Sequence, residues 1–264
     1  MRRPQLSRWL IILISGIALL FLTFPIIALL IRAITEQAWN ELADASILSA
    51  ITLSFVTTFF TVILTVLFGT PLAYAFARGR FPFRRVLNIL LELPIVLPPA
   101  VAGLALLIAF GRRGVLGDTL VSLGISLPFT TAAVVVAQTF VSSPFYIRSA
   151  QVGFQAVARE IEDAARVDGA SAWQVFRFVT LPLASRSLAA GLVLSWARAL
   201  GEFGATILFA GSLQGRTQTM PLLIYNILER DINASIWAGI LLIGLAGLAL
   251  LLSQWLRRED QVDL

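Results

Sequence analysis

The sequence predicts an all-α protein that crosses a membrane about six times, and three observations predict it. The chain of 264 residues is 58% hydrophobic and only 13% charged, whereas soluble domains are nearer half apolar with about a quarter charged. The apolar residues fall in blocks, and about 20 such residues suffice to cross roughly 30 Å of hydrocarbon. The positive charges sort by side across those blocks. In lipid, backbone polar groups must find partners within the protein, so each block is read as a helix rather than an open sheet.

The blocks are residues 9–31, 47–67, 93–110, 129–146, 188–208 and 236–255. The first is too long for the apolar core of a signal peptide and no clear small-residue cleavage site follows it, so it is read as a retained span. With the N-terminus inside, the cytoplasmic side holds Arg2, Arg3, Arg8, Arg78, Arg80, Arg84, Arg85, Arg148, Arg159, Arg166, Arg177, Arg186, Arg257 and Arg258. The outside holds only Arg32, Arg112, Arg113, Arg216 and Arg230. That asymmetry is the positive-inside rule, and it places both termini in the cytoplasm. It accounts for the isoelectric point near 10.9 with membrane lipid, and no nucleic acid, as the partner. Residues 1–46 form the first span and an outer loop, 47–256 one membrane domain without internal repeats, and 257–264 a cytoplasmic tail.

Missing residue types exclude chemistries. There is no Cys and no His, so disulfides, Cys nucleophiles, His-based triads and thiolate or imidazole metal sites are ruled out. All twenty basic residues are Arg, so the lysine of a phosphate-binding P-loop is lacking. If ATP drives this protein, another polypeptide binds it.

Along the chain, residues 32–46 with Glu36, Glu41 and Asp44 form an outer loop. Gly69 and Pro71 lie near the inner end of the second block, where Pro can bend a helix. Arg78, Gly79, Arg80, Arg84 and Arg85 form a short inner loop whose charges set topology. Pro94, Pro98 and Pro99 forbid a straight helix at the mouth of the third block. They mark either a kink lining a wet cavity or a helix start, where Pro is welcome. The turn-rich outer loop 111–127 is either solvated or a contact for a binding protein.

After Arg148 the pattern changes. Residues 155–167 suit a water-facing helix, and Gly169 suits its left-handed end. Ser171 and Gln174 fit a capping box that opens a second helix, expected to end near Pro182. That helix carries Trp173, Val175, Phe176, Phe178 and Val179 with Arg177 as its one charge. It lies either in the lipid interface or in a groove on another protein. An interfacial helix shows a richer basic face, which favours the groove. Ala164, Ala165 and Gly169 have the small side chains that allow close backbone contact at the bend.

The fifth block contains Ser195, Arg198, Glu202 and Thr206. Ionisable residues at mid-span face a bundle interior or a water-filled cavity, and Arg198 and Glu202 share a face at i, i+4 spacing. They are either a self-neutralising pair or neighbours of a translocation path, the latter favoured. Ala197, Gly201 and Ala205 form a stripe of small residues that lets helices approach. Beyond it, Arg216, Thr217, Gln218 and Thr219 offer an outer loop with a cation and hydrogen-bond donors, suited to an oxyanion or to acidic residues of a docking protein.

Four strings resemble known permeases. Asp163-Ala164-Ala165, then Gly169, Val179, Leu181 and Pro182 resemble the EAA motif of ABC-importer permeases, with Asp163 for the usual Glu and Val179 for the usual Ile. Residues 201–206 (Gly-Glu-Phe-Gly-Ala-Thr) and 215–221 (Gly-Arg-Thr-Gln-Thr-Met-Pro) resemble the molybdate/tungstate permeases of the ModB type, as does the Leu-Pro-x-x-Leu-Pro-Pro run ending at Pro99. The resemblance implies a type I ABC importer permease fold in a bacterial or archaeal inner membrane. It implies a homodimer, two ModC-like ATPase subunits that use ATP and Mg, and a ModA-like extracytoplasmic binding protein. The permease itself binds no cofactor and is not an enzyme. The resemblance implies ATPase coupling for Asp163, Ala164, Ala165, Gly169, Leu181 and Pro182, to which the helix reading adds Ser171, Trp173 and Phe176. Pro98, Pro99, Ser195, Arg198, Glu202 and Thr206 are the candidates for the path. Sulfate is the rival cargo, and an ATPase-independent secondary transporter the rival class.

Overall fold

The computed structural model describes residues 3–38, 45–79 and 82–259. Arg2, Arg80, Glu41, Asp44 and residues 260–264 of the tail therefore lie outside the described residues. Among the described residues every regular element is helical. The first two, α1 (Arg3–Thr35) and α2 (Ala45–Arg78), are long and unbroken, with Pro25 and Pro71 inside them. From residue 8 to 35, α1 exposes nearly all its apolar side chains. In water that would be untenable; in a bilayer it is the surface that meets lipid tails.

The third block is not one straight helix. α3 (Arg84–Val96) and α4 (Pro99–Phe110) meet at 115°. Leu97 and Pro98 between them have ψ of 131° and 136°. The physical reason is the Pro98-Pro99 pair: the ring of Pro99 excludes the helical region for Pro98, and neither residue supplies an N–H. Pro99 is at once the first residue of α4 and one side of the kink. Pro94 is carried inside α3. Arg84 and Arg85, expected in a loop, open α3, which buries no residue.

After the short outer helix α5 (Gly117–Ser122), α6 (Thr131–Ala156) forms the centre of the bundle and packs against α2 on one side. Thr61 of α2 donates to Gln138 of α6, and the Thr70 and Tyr146 hydroxyls lie 2.6 Å apart. The relative polarity of α6 follows from this position, since protein rather than lipid surrounds it.

The cytoplasmic segment contains α7 (Arg159–Val167) and α8 (Ala172–Val175). The second helix does not end near Pro182. A π-turn (Phe176–Thr180) joins α8 to α9 (Leu181–Leu200) as one continuous helix from Ala172. The Leu181 N–H reaches back five residues to Phe176 O. That widened turn accommodates Pro182, whose ring would otherwise clash with the preceding turn.

The seam between α6 and α9 is built on small residues. A Cβ added at Gly191 would lie 2.6 Å from Ser149 Cβ, and one at Gly153 would lie 2.5 Å from Ser187 Cβ. Ser149 donates to Ser187 O, and Ser195 to Ser142 O. The expected stripe Ala197, Gly201 and Ala205 is not this seam. α9 stops at Leu200, Gly201 is exposed, and Ala205 lies on the next helix, α10 (Gly204–Phe209). The fifth block is thus broken at Gly201–Phe203 because the Glu202 side chain accepts the Ala205 N–H and starts a new helix there. The chain closes with α11 (Met220–Leu228) and α12 (Ile232–Glu259), which join α2 in a core of Ile47, Ala50, Met220, Leu223 and Ala238.

The six blocks map onto α1, α2, α3–α4, α6, α9–α10 and α12. Among the described residues, Arg8–Thr35, Ser46–Arg78 and Ala172–Leu200 are long and apolar enough to cross a membrane, and the bent α3–α4 pair makes a fourth. At 1.5 Å per residue, the 26 residues of α6 measure about 39 Å.

Candidate functional site

The cytoplasmic turn is built locally. α7 ends with Gly169 at φ +91°, where an L side chain is strained. The N–H of Ala170 returns to Ala165 O. Ser171 then caps α8 in both directions: Gln174 N–H donates to Ser171 Oγ, and Ser171 N–H donates to Gln174 Oε1 at 2.7 Å. The capping box read from the sequence is therefore present.

The apolar side chains divide. Trp173 is 67% exposed and Val167 87% exposed. Asp163, Ala164, Gly169, Ser171 and Pro182 are also at the surface, while Ala165 and Leu181 are half-buried. Phe176 turns the other way. It stacks edge-on against Tyr74 of α2 at 4.9 Å and lies 6.1 Å from Phe154 of α6. The expected plug from Trp173 to Val179 is thus only partly outward, because the amphipathic helix seats Val175 and Phe176 in the bundle. Phe178 is 71% exposed like Trp173, and Val167, beyond the expected plug, is exposed as well.

The residue that the sequence reading passed over is Glu162, only 2% exposed. Its Oε1 accepts from Arg78 Nε at 3.2 Å, Arg78 NH2 at 2.8 Å and Thr180 Oγ1 at 2.7 Å. Arg78 also donates to Val157 O. Asp163, the motif residue, is exposed and pairs with Arg166.

On the membrane side, two breaks adjoin. A Cβ at Gly204 would meet Pro99 Cβ at 2.4 Å, and one at Gly103 would meet Ala205 O at 2.8 Å. The α3–α4 kink and the α9–α10 interruption therefore lie side by side. Irregular backbone at membrane depth persists only where protein or a wet cavity covers it. Pro98 and Pro99 are exposed there. Arg198 and Glu202 form an ion pair at 2.6 Å, with side chains 29% and 1% exposed. Ser195 faces α6 instead, and Thr206 is buried with no hydrogen-bond partner for its hydroxyl among the described residues. Of the six path candidates, the structure gathers Pro98, Pro99, Arg198 and Glu202 around these breaks.

The outer loop differs from expectation. Only Arg216 is exposed; Thr217, Gln218 and Thr219 are buried. The loop must satisfy its own backbone, and its side chains take part: Thr217 Oγ1 accepts the Leu213 N–H, and Gln218 donates to Ser212 Oγ. Thr217 and Gln218 thus hold the loop, and Gln218 also lines a cavity with Asn226 and Arg230.

Comparison with known proteins agrees with this architecture. The chain is 42% identical over 248 residues to the molybdenum transport system permease protein ModB of Mycobacterium tuberculosis, covering 94% of this chain and 93% of that protein. It is 39% identical over 254 residues to the probable transport system permease protein NifC of Clostridium pasteurianum, covering 95% and 88%. A solved bacterial alginate ABC transporter, in complex with an alginate pentasaccharide-bound periplasmic protein, superposes with a TM-score of 0.78 at 16% identity over 98% of this chain and 96% of that one. That likeness shows the type I ABC importer permease fold. A model of the family described as binding-protein-dependent transport system inner membrane component matches residues 66–258, and the chain belongs to that family.

Proposed function

We propose that this chain is the membrane-spanning subunit of an ATP-driven importer for molybdate or tungstate. The observation that carries the cargo is the near end-to-end match, at 42% identity, to a permease named for molybdenum transport. Two copies enclose the path, as closed dimers commonly do. A ModC-like ATPase docks on each cytoplasmic turn and holds the ATP and Mg, and a ModA-like protein delivers the anion from outside. Both termini are cytoplasmic, in a bacterial or archaeal inner membrane. The support for ATPase docking is the exposure of Val167, Trp173 and Phe178 on a cytoplasmic turn otherwise rich in charge, since exposed apolar residues of this kind mark partner sites. Arg216 is the outer-loop cation open to the binding protein. The adjoining breaks, with Arg198 beside them, line the path of the anion.

Proteoliposomes holding permease, ATPase and binding protein should take up labelled molybdate or tungstate when ATP is supplied. Uptake of sulfate with indifference to molybdate would move the cargo to the rival anion. Uptake by the permease alone would remove the ABC mechanism. Val167→Glu and Trp173→Glu should each weaken ATPase binding by about 2 kcal/mol, roughly 30-fold, as loss of an apolar anchor does. The check is co-purification at graded ATPase concentration; Val115→Glu, on the outer surface, should leave it unchanged.

A further inference from the structure

Glu162 is a buried carboxylate that the docking surface does not use. It sits on α7, receives two donors from Arg78 at the end of α2, and receives a third from Thr180 in the π-turn. One oxygen of α7 thus collects two further elements, 84 and 18 residues away along the chain. The side chains of Arg78 and Glu162 are 14% and 3% exposed, so this is not a loose surface pair. π-turns often accompany functional sites. Here the turn does two things at once: it admits Pro182, and it holds Thr180 against α7. A contact aimed only at stability needs no charge, since apolar residues of like volume do as well or better.

We propose that Glu162 is a positioning residue, which with Arg78 and Thr180 clasps the ATPase-docking turn to α2 and α9 so that the three move as one body. This rests on the importer function proposed above and adds to it the joint through which force passes. Without the clasp, α7 is displaced by the ATPase while the spans stay behind, and ATP hydrolysis continues without import.

The test uses the assembled importer in proteoliposomes, reading molybdate imported per ATP hydrolysed. Thr180→Val removes the hydroxyl and keeps the shape; Thr180→Ser keeps the hydroxyl; Arg78→Gln removes the charge. Thr180→Val and Arg78→Gln should lower the ratio by about tenfold, the weight of a hydrogen bond to a charged group, with the ATPase still bound. Thr180→Ser should stay near the parent. A second readout is amide hydrogen exchange across residues 159–170 in the detergent-solubilised permease, which should quicken in Thr180→Val and not in Thr180→Ser. Unchanged exchange in Thr180→Val overturns the clasp. Faster exchange with an unchanged ratio reduces it to local support and overturns the positioning role. A parent importer that moves no molybdate or tungstate overturns the function instead, and the exchange experiment then still decides whether the clasp exists.

Discussion

Arg198→Ala should destabilise the permease by about 3–5 kcal/mol, because it leaves a buried carboxylate without its counter-charge. Glu202 is 1% exposed and its Oε2 lies 2.6 Å from Arg198 NH2. Its Oε1 is occupied by the Ala205 N–H that opens α10, so the carboxylate cannot turn away without uncapping that helix. Thermal unfolding in nanodiscs should show the loss as a lowered midpoint. The double variant Arg198→Ala/Glu202→Gln should recover most of it, since a neutral amide oxygen still accepts the Ala205 N–H and no charge is stranded. Transport separates the two roles that the sequence left open. If the pair only neutralises itself, the double variant imports cargo at the parental rate. If Arg198 serves the anion, the double variant folds and does not import. A single Arg198→Ala that melts like the parent would show that the ion pair adds nothing to stability.

Gly191→Val should be worse than any surface change, and even Gly191→Ala should cost about 1–3 kcal/mol through overpacking. The added methyl would lie 2.6 Å from Ser149 Cβ, and both atoms sit directly on helix backbones that have no flexible end to yield. Relief requires α6 and α9 to part, which breaks the Ser149 to Ser187 O and Ser195 to Ser142 O contacts. Ser149→Gly should rescue Gly191→Ala in part. It removes the obstructing carbon but also a hydrogen bond worth about 1 kcal/mol. Midpoints of unfolding for the two single variants and the double variant decide this. Strict additivity would show that the helices had shifted rather than collided.

What the sequence conveyed, and what it did not, follows from range. The capping box at Ser171 and Gln174, the left-handed Gly169 and the six apolar blocks are written in residues a few positions apart, so local rules found them. Glu162 is different. Beside Asp163 on an amphipathic helix it reads as one more solvated acid, and only the return of Arg78 from a distant helix makes it a buried hub. A signal did exist, in a threonine set between the apolar Val179 and Leu181. Pro182 misled because a proline ordinarily ends the helix before it, and a π-turn leaves no local mark. The fifth block was broken by Glu202, whose side chain accepts the Ala205 N–H three residues on; its charge drew the reading toward the path rather than toward a helix start. Thr217, Gln218 and Thr219 show that composition reports what a loop can offer and not the side to which it is turned.

The interlocked glycines and serines between α6 and α9 bear on how such a machine can move. With backbones this close, neither helix can slip along or roll over the other without collision, so the two behave as a single spar. Any rearrangement of the bundle must then be absorbed outside this seam.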